Sequence, residues 1–346
     1  MVAIRMDASA PRIQTLKLNI TNHSNIHPFY ERCMGLHEKF SEHPPTLLHT
    51  DVNKFVKIVG EQGVQRICIE GNEPLARKDV ASFIKAAHSY KGIKDVRLVT
   101  NGTHLKNYAD ALRKMGLKKV DIYQMDTLNF IKYQKLNGKD ALYRVLDGIE
   151  KVEKLKYADI RLNILLLNQI NSDEIVEMAR LTRERKIHIR FMEFAPTSDE
   201  RNPYADRPIL SVVDAKRMID NYEKLQMEYD LEADQPTPIF KFDGAVGTIS
   251  FCSSKDIQAM REEPHIELNA QGILRSSINP KKTMDVLHHI RKDSKNPKFR
   301  KAIEKFVLLK ASGARSKTNK TTKPSKTTTK AKKTSSRRKT TSASAS

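Results

Sequence analysis

From residue 15 to residue 192 short apolar runs alternate with helix-length amphipathic segments, and that rhythm restricts the fold more than any other property of the chain. The runs at 15–20, 66–69, 95–99, 119–122, 159–166 and 188–192 read as strands. Helical periodicity fills the intervals at 51–62, 79–90, 104–115, 139–155 and 172–185. Gly63, Gly92 and Gly116 stand where helices stop, and Asn171, Ser172 and Asp173 precede the last helix as caps. Parallel strands need a long crossover, and a helix supplies it. Six consecutive βα units predict an α/β fold, either a partial (βα)6 barrel of the TIM type or an open doubly wound sheet.

In both folds ligands meet the loops that follow the strands' C-terminal ends. Those loops carry His23 to His27, Glu70 to Glu73, Thr100-Asn101-Gly102, Gln124 to Asp126, Asn168 to Asn171, and Glu193, all polar stretches. Beyond Pro196 the pattern changes. A helix near 212–225 is followed by segments 239–242 and 246–251 around Asp243-Gly244, a hairpin signal, and by helical stretches at 285–291 and 297–309. The organisation expected is a barrel at 1–196, a smaller α+β lid at 197–311 and a tail at 312–346.

The tail accounts for about half of the net charge of +21, because residues 312–346 hold eleven Lys and Arg and no Asp or Glu. Rich in Lys, Thr and Ser, without hydrophobic periodicity, it is predicted to be disordered. Its chemistry suits electrostatic contact with nucleic acid, and the absence of aromatic residues argues against base stacking. No apolar stretch is long enough to span a membrane and no export signal opens the chain, so a cytoplasmic or nucleoid-associated location is expected. Cys33, Cys68 and Cys252 are too few and too scattered for a disulfide framework.

Several segments carry a resemblance. His23-Ser24-Asn25-Ile26-His27-Pro28-Phe29-Tyr30-Glu31, Glu70-Gly71-Asn72-Glu73-Pro74-Leu75, Thr100-Asn101-Gly102, Leu136-Asn137-Gly138 and Arg190-Phe191-Met192-Glu193-Phe194-Ala195-Pro196 follow one another in order. Together they resemble the MoaA family of radical S-adenosylmethionine (SAM) enzymes, the GTP 3',8-cyclases of molybdenum-cofactor synthesis. The resemblance covers residues 12 to 306 and implies the partial barrel. It also implies a SAM or ligand site at Gly71, Asn72, Glu73, Thr100, Asn101, Asn163 and Arg190, with Glu73 facing an ammonium.

Where the family places cluster cysteines, this chain has Ser24, Pro28 and Glu31, and at the auxiliary cluster Met260, Glu263 and Ser277. A 4Fe–4S cluster is held by thiolates, so the reading expects no such cluster, no catalytic residue and no cofactor; Asn72, in place of a glycine, narrows the loop against SAM. The family's GTP-holding arginines correspond to Lys17, His265 and Glu267. Lys17 and Arg161 are candidate anion ligands.

These residues predict a binding or scaffolding pseudoenzyme whose barrel mouth takes a nucleotide-like ligand or a protein partner, tethered to nucleic acid by its tail. The alternatives are a residual role in molybdenum-cofactor synthesis with SAM or nucleotide binding, and a non-specific DNA- or RNA-binding protein. A zinc site from His23, His27, Glu31, Cys33 and His37 is a third reading.

Overall fold

Strand order decides between the two architectures that periodicity leaves open. The computed structural model describes residues 12–28, 46–194, 208–228 and 238–308. In it β1 (Thr15–Asn19), β2 (Arg66–Glu70), β3 (Asp95–Thr100), β4 (Lys119–Ile122), β5 (Asp159–Leu166) and β6 (His188–Glu193) are neighbours in chain order, every pair parallel. A doubly wound sheet reverses direction at a switch point, and this one does not. All crossovers turn the same way, which places the helices on one face: a partial (βα)6 barrel.

The helices are α1 (His49–Glu61), α2 (Val80–Ala87), α3 (Leu105–Lys114), α4 (Phe130–Asn137), α5 (Leu142–Lys154) and α6 (Ile175–Arg180). Periodicity suggests a single helix from 139 to 155; the structure instead has α4 and α5. Asn129 caps α4 by accepting from the Ile131 and Lys132 amides, and Gly138, at φ 70°, ends it in the left-handed conformation. Strand residues alternate. Leu16, Leu18, Ile67, Ile69, Val96 and Leu98 are buried in the same core as Phe55 and Phe83 of the helices.

The segment expected as a lid, 197–311, enters the same sheet from both sides. After α7 (Val212–Tyr222) come β7 (Gln226–Glu228), β8 (Ile239–Lys241) and β9 (Thr248–Cys252), with β9 parallel to β6. The hairpin signalled by Asp243-Gly244 is β8 against β9. Then α8 (Ser254–Glu262) leads to β10 (His265–Leu268), which pairs parallel with β1, and to β11 (Ile273–Ser276) and β12 (Asn279–Asp285). Helices α9 (Val286–Asp293) and α10 (Pro297–Val307) follow. The result is one sheet of twelve strands. Among the described residues no helix is long and apolar enough to cross a membrane. The tail, 312–346, lies outside the described residues.

Candidate functional site

At the C-terminal ends of β1 and β2 two loops are laced together by backbone hydrogen bonds. Ile20 N donates to Glu70 O, Asn72 N to Thr21 O and Glu73 N to His23 O, at 2.9, 3.1 and 2.9 Å. Gly71 makes this approach feasible: its φ is 133°, and a Cβ there would meet Thr21 O at 2.5 Å. Glu73 is fully buried. Its Oε1 accepts from Leu75 N at 2.8 Å and Thr100 Oγ1 at 2.7 Å, and its Oε2 from Asn101 N at 2.7 Å. Burial raises its pKa to about 7 against the opposing pull of the Asn101, Thr100 and Leu75 donors. Glu73 is thus a brace between the β2 and β3 loops, where the resemblance had it facing an ammonium.

The brace extends to the β1 loop. Asn101 Nδ2 donates to Asn25 Oδ1 at 2.8 Å, and Asn25 Nδ2 to Thr103 Oγ1 at 2.8 Å. Asn72, expected to narrow the site, is exposed and its amide donates to Asn22 O at 2.6 Å. Among the described residues the carbonyl oxygens of Gly71 and Asn72 receive no hydrogen bond. The turn therefore keeps backbone acceptors suited to an ammonium, and the donor chemistry of this mouth fits the amino group of SAM.

The positions matched to cluster thiolates do not fit as a donor set. Ser24 is buried with its hydroxyl donated to Ile26 O at 2.5 Å, and Pro28 has no side-chain donor. Glu31, Cys33 and His37 lie outside the described residues, while His23 and His27 are exposed. At the second site Met260 lies on α8, and Ser277 Oγ accepts from His265 N at 2.8 Å and donates to Glu263 O. Among the described residues no three His, Cys, Asp or Glu converge as metal ligands.

The concave face of the sheet is charged, a feature the strand-by-strand reading did not assemble. Arg97 on β3 bridges Asp121 on β4 and Asp159 on β5, both at 2.5 Å. Burial alone would lower the Arg97 pKa; the two carboxylates raise it instead. Arg161 also meets Asp121 at 3.4 Å and Asp159 at 3.6 Å, so the charge of this candidate anion ligand is answered within the protein. Arg190 Nη1 donates to Asn163 Oδ1 at 3.4 Å, which joins two of the expected site residues. His188 is held neutral, its pKa pushed down to about 3 by burial and by Arg161 and Arg190; its ring contacts Thr248 Oγ1 and Ser250 Oγ at 2.8 Å. Lys17, in register with Glu267, faces the same side. The available signal was the recurrence of charged residues at every second position of otherwise apolar strands.

Glu193, at the end of β6, accepts from Val212 N at 3.0 Å and from Ser254 N and Oγ at 2.7 Å. It thereby meets the first amides of α7 and α8, where helix dipoles favour a carboxylate.

Residues 29–182 match the Radical SAM superfamily. GTP 3',8-cyclase of Alkaliphilus metalliredigens is 28% identical over 284 residues, 81% of this chain and 86% of the relative. The same enzyme of Heliobacterium modesticaldum is 27% identical over 308 residues, 88% of this chain and 93% of the relative. Among solved structures, SuiB of Streptococcus suis bound to S-adenosylmethionine matches with a TM-score of 0.53 at 12% identity, over 85% of this chain and 68% of SuiB. SuiB bound to its precursor peptide SuiA matches with a TM-score of 0.50 at 12% identity; 76% of this chain spans 58% of that one. At such identity these structures speak for the fold alone.

The matches overturn one expectation. A chain without cofactor, with SAM disfavoured, does not stand against a superfamily match of this extent, and the physical ground for disfavouring SAM has gone as well, since Asn72 folds onto Asn22. Sequentially ordered βα units, a glycine-dependent loop after β2 and relatives aligned over most of their length converge: the chain is a MoaA-like member of the radical SAM superfamily.

Proposed function

We propose that this protein is a MoaA-like SAM-binding barrel that serves as a binding or scaffolding pseudoenzyme in place of GTP cyclisation. The observation that carries the binding role is the turn at Gly71–Asn72, with its carbonyls unbonded and the Asn72 side chain folded away. Thr100, Asn101, Asn163 and Arg190 complete the mouth around it. SAM, when bound, would supply a sulfonium; the chain's own part is to seat its amino and carboxylate groups. Against cyclisation stand Lys17, His265 and Glu267 at the positions matched to GTP-holding arginines, since a carboxylate beside a triphosphate is repulsive.

Calorimetric titration of the full chain with SAM is expected to show one site, and saturation at ~100 Kd to add ~2.7 kcal/mol of stability. GTP supplied with SAM after anaerobic iron–sulfur reconstitution is expected to give no cyclised product. Absence of SAM binding, or appearance of that product, overturns the reading.

The tail supports a second role, electrostatic association with nucleic acid, because eleven cations are unopposed between residues 312 and 346. Its contacts would release counterions, so DNA affinity is expected to fall on the order of 10³-fold between about 50 and 200 mM salt. A chain ending at Ala311 is expected to lose that binding, and equal retention by both forms removes the tail from the account.

A further inference from the structure

The concave face holds polar groups that protein partners leave unmet. Registered neighbours in a parallel sheet project to the same side, so Glu267, Lys17, Cys68 and Arg97 share one row, and Asn19 and Glu70 the next. Farther round the same face, Asp121 stands beside Arg161, and Asn163 beside Arg190. Among the described residues the Lys17 ammonium and the Tyr123 hydroxyl have no hydrogen-bond or ion-pair partner. Glu70 has a single side-chain contact, the Cys68 thiol at 3.8 Å. Arg161 is 8% exposed, yet its Nε–H has no acceptor.

These groups border a lumen. Cys68, Glu70 and Tyr123 lie deep enough for desolvation to dominate their ionisation, raising all three, and still each keeps accessible surface. Enclosed atoms that a water-sized probe can touch line a cavity, and one lined by unmet donors and acceptors is made for polar contents. It is narrow: Tyr123 on the β4 side feels Cys68 from β2 together with Arg190 and Arg161.

Its charges balance and are sorted. Lys17, Arg97, Arg161 and Arg190 face Glu70, Glu267, Asp121 and Asp159. On the β10–β1–β2 wall two carboxylates flank one ammonium; toward β5 and β6 the arginines gather beside the Tyr123 hydroxyl. A polyanion would meet Glu70 and Glu267, whereas a ligand with separated opposite charges meets a partner at each end. We propose that the lumen binds a short zwitterion, its ammonium against Glu70 and Glu267 and its carboxylate reaching the Tyr123 hydroxyl and the Arg161 Nε–H. This rests on the reading of the barrel as a small-molecule binder, and adds a ligand separate from SAM.

The test is a melting series on the full chain with ω-amino acids from glycine to 6-aminohexanoate at about 10 mM, beside butylamine and butyrate. One chain length is expected to raise Tm by ~3 °C while the amine and the carboxylate alone do not. Glu70→Gln, which loses only a thiol contact, and Tyr123→Phe, which loses no protein bond, are each expected to melt as the parent does without ligand and to lose the shift. No shift at any length, the same shift from butylamine or butyrate, or a shift that survives in Glu70→Gln overturns the proposal. The SAM titration on the same preparation separates the two readings: a zwitterion shift without SAM binding sinks only the mouth, and the reverse result sinks only the lumen.

Discussion

Alanine in place of Arg97 is expected to lower the unfolding free energy by ~3–5 kcal/mol, the range for removing one partner of a buried ion pair. Arg97 is the cation closest to both Asp121 and Asp159, which come from different strands, and the Asp121 side chain is only 7% exposed. Arg161 alone would remain, 3.4 and 3.6 Å away, with a guanidinium whose own charge is already disfavoured by burial. Most of the loss is the desolvation of carboxylates left behind, so removing them together with Arg97 should recover part of it. Urea unfolding at neutral pH measures this. Lys106→Ala, which breaks the exposed pair with Asp147, is the control and should leave the midpoint unchanged. A loss from Arg97→Ala as small as that of the control would mean that water in the lumen already screens the network.

Glu73→Ala carries the second large effect, ~3–5 kcal/mol, because it strands the Leu75 and Asn101 amides and the Thr100 hydroxyl in a buried site. The same residue fixes a pH dependence. Its pKa is about 7 in the folded protein against 4.5 for the free side chain, so the folded state holds the proton more tightly. The stability gained from this group is complete below pH 4.5 and disappears as pH rises through about 7. Relative to Glu73→Gln, which does not titrate, the parent is expected to lose ~2 kcal/mol between pH 5 and pH 8. Parallel melting curves for the two proteins over that interval would show that the carboxyl is not perturbed.

The six barrel strands were legible because parallel strands covered by helices are marked by local apolar runs, and 119–122 and 159–166 fall on β4 and β5 without adjustment. The sheet's outer strands were not. The segment Asn279-Pro280-Lys281-Lys282 is polar and exposed, and its pairing with β11 leaves no local periodicity to find. Pro280, Lys281 and Lys282 are the residues that guard an edge against further pairing, and they also mask it as a strand. At the mouth, the Glu70 to Glu73 motif located the loop, but the role of Glu73 depended on Thr100 and Asn101, which only the β2–β3 register brings within reach. Arg97, Asp121 and Tyr123 were missed for a related reason. Each is unremarkable in its own strand, and their relation exists only across the barrel.

Because β1 takes β10 as its outer neighbour, the first strand of the chain waits for one of the last. During synthesis the early βα units can assemble while the free side of β1 offers unpaired amides and carbonyls until residues 265–268 leave the ribosome. Closing so long a loop is slow, and the interval is a window for intermolecular strand exchange. A chain cut before β10 should accumulate as aggregate even though its whole run of sequential βα repeats is intact.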